Sequence, residues 1–152
     1  MHTRARHATS PLPAMPTSLP ARAYALPLIL PLLLAACSDA VQTQYRDLDE
    51  ARAAGAIQRG WLPAWLPART GAIAEAHDLD TNRRAARFVL PDGARIEPPG
   101  CAPAGGRLPP PALALPGWPA SLHQDGAAGR YRLYRCADGY AAFDASHGYL
   151  WN

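Results

Sequence analysis

Proline constrains this chain more than any other residue type. There are 17 prolines and 12 glycines among 152 residues. Proline fixes φ and lacks an amide donor, so it is excluded from helix interiors and central strands. Regular structure must therefore come in short pieces separated by much loop. In Trp61-Leu-Pro-Ala-Trp-Leu-Pro67 two prolines four apart exclude both a regular helix and a central strand. That stretch reads as an extended apolar turn packed on the core. Residues 94–121 are dominated by Pro, Gly and Ala, and Pro109-Pro-Pro111 forbids regular pairing there. A structureless excursion of this length needs something to hold it. The chain is nevertheless 49% hydrophobic and 18% charged, which is enough apolar material for one folded domain.

The N-terminal end has its own logic. Arg22 is followed by about 14 mostly apolar residues, the layout of a secretory signal. The stretch is too short for a membrane-spanning helix, which needs ~20 residues. It ends in Leu34-Ala-Ala-Cys37, which resembles the lipobox of bacterial lipoproteins. Small residues at 35 and 36 suit a narrow protease site, and Cys37 supplies the thiol that accepts diacylglycerol. The expectation is a signal peptide over 1–36, with Met15 as the true start, and a lipidated tether over 37–44. A single globular domain follows over 45–152. Ser38, rather than Asp, behind the cysteine favours the outer membrane, with the domain facing the periplasm.

Charge then excludes one class of partner. Arg4, Arg6 and Arg22 lie upstream of Cys37 and no acidic residue does, which leaves 12 Arg against 12 Asp and Glu in the mature chain. A neutral body lacks the basic footprint that nucleic-acid binding needs. With Cys37 lipidated, Cys101 and Cys136 remain as an even pair in an oxidising compartment, where a disulfide is expected. It would pin the proline-rich excursion to the strand ending at Cys136. No CxxC is present, which argues against a thioredoxin-like site or a zinc ribbon.

The coarse pattern reads as α+β. Asp47 as N-cap and Glu50 three residues on open a helix over 47–58, stopped by Gly60. Residues 73–77 and 84–90 flank the turn-forming Asp78–Asn82 as a hairpin. Residues 130–136, 140–144 and 149–151 read as further strands. The expected architecture is one N-terminal helix packed on an antiparallel sheet of four to five short strands.

His77-Asp-Leu-Asp-Thr-Asn82 is the densest polar cluster. Asp78, Asp80 and Asn82 alternate as in a calcium loop, but Arg83 stands where glycine is required and Val89 where glutamate is. Asx-type turns, with Asp78 or Asp80 paired to Arg83, Arg84 or Arg87, explain the cluster more simply. His77, His123 and His147 lack ligand spacing, and Ser121 and Ser146 lack a nucleophile-elbow setting. No metal and no cofactor is expected. Among the aromatics, Trp61 and Trp151 read as core, and Trp65 and Trp118 as candidates for an exposed binding patch.

Gly60-Trp-Leu-Pro…Leu66-Pro, Ile73…His77-Asp-Leu-Asp-Thr-Asn82…Arg87-Phe88 and Tyr134-Arg-Cys136 together resemble small uncharacterised proteobacterial lipoproteins. The likeness spans roughly 45–90 and the final 25 residues. It implies a compartment and a domain extent but no activity, and an aromatic where Ala85-Ala86 stand here. The functional expectation is a non-enzymatic, membrane-anchored protein that binds an envelope protein or a cell-wall component. The alternative is a small periplasmic hydrolase or ion-binding protein centred on His77–Asn82.

Overall fold

The structure is a computed structural model and describes residues 40–152. The proposed signal peptide and Cys37 lie outside the described residues. The fold is mainly β. Seven strands, β1 (Ala40–Asp47), β2 (Gly71–Asp78), β3 (Arg83–Val89), β4 (Cys101–Pro103), β5 (Arg132–Cys136), β6 (Gly139–Phe143) and β7 (His147–Trp151), form one sheet in the order β1-β2-β3-β7-β6-β5-β4. Every neighbouring pair is antiparallel. Two three-strand meanders, β1-β2-β3 and β5-β6-β7, are joined through the β3–β7 pair, and β4 adds the far edge.

The expected α+β architecture is thus corrected: the helix α1 covers only Leu48–Ala53. Its start follows expectation. The Asp47 side chain accepts the Glu50 amide at 2.8 Å, while the Glu50 carboxylate accepts the Arg46 amide at 2.7 Å. Its end does not. Gly55, at φ +81°, takes the left-handed conformation. The Ala56 amide then reaches Ala51 O at 2.9 Å and the Gly55 amide reaches Arg52 O at 3.0 Å, the paired bonds of a Schellman closure. Gly55 stops the helix before Gly60 is reached.

Two strands went unread in the sequence. Residues 40–44, assigned to a polar tether, are the first half of β1, and Cys101–Pro103, assigned to loop, is β4. The β2–β3 hairpin and the three C-terminal strands stand where the alternation put them, within a few residues.

Both faces of the sheet are covered. On one, α1 and the 54–70 segment bury Leu48, Leu62 and Leu66 against Ile73, Phe88 and Phe143. On the other, the proline-rich excursion lays Leu108, Leu115 and Leu122 over Ala74, Ala76, Ala85 and Ala142. The small alanines leave room there for Tyr149 and Trp151, both nearly fully buried. Fully burying a Leu or Phe side chain contributes about 1.5–3 kcal/mol. The excursion is held by polar contacts as well. Trp151 Nε1 donates to Pro109 O at 2.9 Å, Arg87 Nε to Pro116 O at 2.8 Å and Gln42 Nε2 to Ala114 O at 3.2 Å. Cys101 and Cys136 face each other in the β4–β5 register with Cα atoms 4.1 Å apart and their sulfurs bonded. This is compatible with the expected bridge.

A candidate binding cleft under two tryptophans

The Trp-Leu-Pro doublet builds one wall of a cleft. The Trp61 amide binds Ala56 O at 3.0 Å, Leu66 N binds Pro63 O at 3.4 Å, and Thr70 N binds Pro67 O at 2.9 Å. These successive turns set Leu62 and Leu66 into the core, while Trp61 and Trp65 stay half-buried. The opposite wall is Pro99, Gly100, the Cys101–Cys136 bridge and the β5–β6 turn at Asp138. The enclosed space is about 430 Å³, within the range of small-ligand pockets. Trp65 is steadied by an edge contact to Phe143, with ring centres 6.4 Å apart. Across the floor Arg84 is salt-bridged to Asp138.

Trp61 separates this cleft from a buried polar pair. Its ring stacks on His77, with centroids 3.6 Å apart and planes 14° apart, and the Arg59 guanidinium carbon lies 4.1 Å from the Trp61 centroid. His77 is 4% exposed and Glu75 is fully buried. His77 Nδ1 and Glu75 Oε1 are 2.8 Å apart. Glu75 Oε2 has no partner, an expensive arrangement for a buried oxygen. Burial pushes the Glu75 carboxyl above its ordinary range, against the pull of the His77 hydrogen bond. The sequence reading singled out His77 but not Glu75. The signal was the alternation Ile73, Glu75, His77, which puts all three on one face of β2.

The rest of the 77–82 cluster separates. Asp78 Oδ1 accepts the amides of Asp80 and Thr81, both at 3.0 Å, and Asn82 adopts φ +53°. The amide of Thr81, chiefly, holds the Asp78 carboxyl below its ordinary value. This is an Asx turn. Asp78 or Asp80 was expected to pair with Arg83, Arg84 or Arg87; of these, Arg84 goes to Asp138 and Arg87 to Pro116 O. His77 therefore points inward while Asp78 serves its own turn, and the two do not converge on a pocket.

Trp118 lies on the other face, so Trp65 and Trp118 form no common patch. Trp118 Nε1 donates to His123 Nε2 at 2.8 Å, with the two rings coplanar within 1°, and the indole meets Tyr149 and Trp151 edge-on. His123 Nδ1 is 3.3 Å from Leu108 O, so the neutral tautomer with hydrogen on Nδ1 satisfies both contacts. Burial lowers the His123 pKa, against the Leu108 hydrogen bond.

A third cluster was not singled out from sequence. Asp144, Ser146 and His147 meet in the β6–β7 turn, with Ser146 Oγ 2.9 Å from His147 Nδ1 and Asp144 Oδ1 3.5 Å from the same nitrogen. In a hydrolytic triad the two ring nitrogens serve different partners. Here Nδ1 faces both, and Asp144 Oδ1 is engaged by the amides of Ser146 and His147 at 2.8 and 2.7 Å. The cluster is a turn, not a nucleophile. Among the described residues no three His, Cys, Asp or Glu side chains gather as a metal site, and no helix is long and apolar enough to cross a membrane.

These features define a small, mainly β module with a bridged, tryptophan-walled cleft. Residues 39–89, about a third of the chain, match the family model described as the YbbD head domain, a likeness that points to a bacterial family. The match takes in β1 to β3 with the Trp-Leu-Pro wall and the Glu75–His77 pair, but not the disulfide or the β5–β7 meander. No curated protein and no solved structure matches the chain.

Proposed function

We propose that this chain is a lipid-anchored module of the bacterial envelope that binds an envelope protein or a cell-wall component without acting on it chemically. The observation that carries the binding role is the cleft itself. It offers two indole surfaces, apolar proline edges and one paired charge, a mixture suited to an extended peptide or a sugar ring. Its ionisable wall residues, Arg84 and Asp138, neutralise each other, and Glu75 and His77 stand behind Trp61. Nothing in the cleft pairs a nucleophile with a base, so the hydrolase or ion-binding reading centred on His77–Asn82 has the weaker support. The anchoring part rests on Leu34-Ala-Ala-Cys37 behind its apolar run. Ser38 supports the outer membrane, facing the periplasm, as the destination.

The test is photo-crosslinking in intact cells from a reactive amino acid at position 65, with mass spectrometry of the adduct. The expected result is a discrete adduct that a probe at Gln124 does not give and that Arg84→Ala, in the cleft lining, weakens. Equal, diffuse adducts from both positions would contradict the binding role.

A further inference from the structure

The exposed large hydrophobic side chains among the described residues are Val41, at 48% exposure, and Leu79, at 71%. They share one corner of the molecule. Ala40 pairs with Asp78 and Val41 with His77 in the β1–β2 register, so Leu79 begins the turn beside the start of β1. The same register sets where the chain enters the fold. β1 begins at Ala40, three residues after Cys37. Whatever their conformation, three residues span at most about 11 Å. A lipid on Cys37 therefore keeps Ala40, at this corner, within about 11 Å of the cysteine, close to the headgroup layer. A tether running to residue 44 would have allowed the body to stand off; the strand removes that slack.

From these observations we infer that the Val41–Leu79 corner is a membrane-contacting surface, with Leu79 at the start of the β2–β3 turn inserted among the lipid headgroups. This rests on the lipid anchor proposed above. The partner is the bilayer interface itself. The apolar corner supplies the contact. Asp78 is turned into its own loop and Arg84 is paired with Asp138. A second hydrophobic contact beside an acyl anchor also fixes orientation, which one flexible attachment does not. Arg84, Asp138 and the Cys101–Cys136 bridge lie towards the same end of the sheet as Ala40 and Asp78. The cleft is thereby presented near the membrane rather than away from it.

The test uses the full lipidated chain in vesicles of phosphatidylethanolamine and phosphatidylglycerol. A nitroxide is placed at Thr81→Cys or, as a control at the opposite end, at Ala128→Cys. Collisional relaxation by oxygen and by a nickel chelate gives depth, and mass spectrometry of the same sample reads the lipid on Cys37. The expected result is an oxygen-dominated signal at 81 and a nickel-dominated one at 128, with Leu79→Asp returning 81 to the aqueous value. A nickel-dominated signal at 81 on a chain whose Cys37 carries lipid overturns the surface contact alone. A chain without lipid on Cys37 overturns the anchor along with it.

Discussion

Glu75 is fully buried with one oxygen unpartnered, and its effect on stability has a definite sign. Burial raises its pKa from the ordinary 4.5, so above that value the folded chain holds a proton that the unfolded chain releases. Stability then falls as pH rises from about 4.5 through the folded pKa of Glu75. Asp78 and Asp144 act the other way. Amide donors hold both below their ordinary value, with burial opposing this at Asp144, so their stabilisation is lost as pH falls through their folded pKa. Urea titrations across this range should show Glu75→Gln removing the downward limb above pH 4.5 while keeping the acid limb. At the alkaline end Tyr149 is pushed up to about 12 by burial and by Asp144. Tyr149 therefore remains neutral when folded at a pH where it ionises unfolded, and loses stability through that range. A steric prediction sits beside these. A Cβ on Gly148 would lie 2.2 Å from the Phe88 ring, so Gly148→Ala should cost about 2–3 kcal/mol, read as a lower urea midpoint. Neither residue stood out in the sequence. Glu75 shares the Ile73 face of β2, but alternation alone does not show that this face is covered at a charged position, and a glycine between turns looks like a turn residue until its neighbour across the sheet is known.

Among the elements, those whose signals are local were legible. The Asp47 cap, the Asx turn of the β2–β3 hairpin and the β5–β6–β7 meander each follow from a few adjacent residues. α1 came out too long because two glycines competed to end it, and Gly55 closed the helix first. β1 and β4 were missed because both are edge strands. With a neighbour on one side, they bury few side chains and carry little alternation. β4 is held by the disulfide, with its cysteines 35 apart in sequence. In the loop-entropy picture such a bridge contributes about 3–4 kcal/mol, mostly by restricting the unfolded chain. Replacing both cysteines with alanine should lower the urea midpoint accordingly. It should also steepen the m-value, because the unfolded chain then expands further. An unchanged midpoint and slope would mean that the bridge does not form in the purified protein.

At the scale of the whole molecule, the proline-rich excursion is a covering layer. It could not be read as one from composition, because its three buried leucines, 108, 115 and 122, are seven apart in a stretch where proline forbids the helix that such a spacing would suggest, and the backbone beside the first two is fixed by long-range bonds from Trp151, Arg87 and Gln42. The cleft was legible only in part. Trp65 was marked as a binding candidate, but its opposite wall comes from residues 99–101 and 136–140, which sequence spacing cannot bring together. The proposed envelope role of this sheet-and-loop domain depends on a lipid on Cys37. The direct test is the mass of the N-terminal peptide of the protein purified from membranes. The account predicts a peptide that begins at Cys37 and carries diacylglycerol on its sulfur. A peptide that continues upstream of Cys37, or one that begins there with an unmodified thiol, would contradict it.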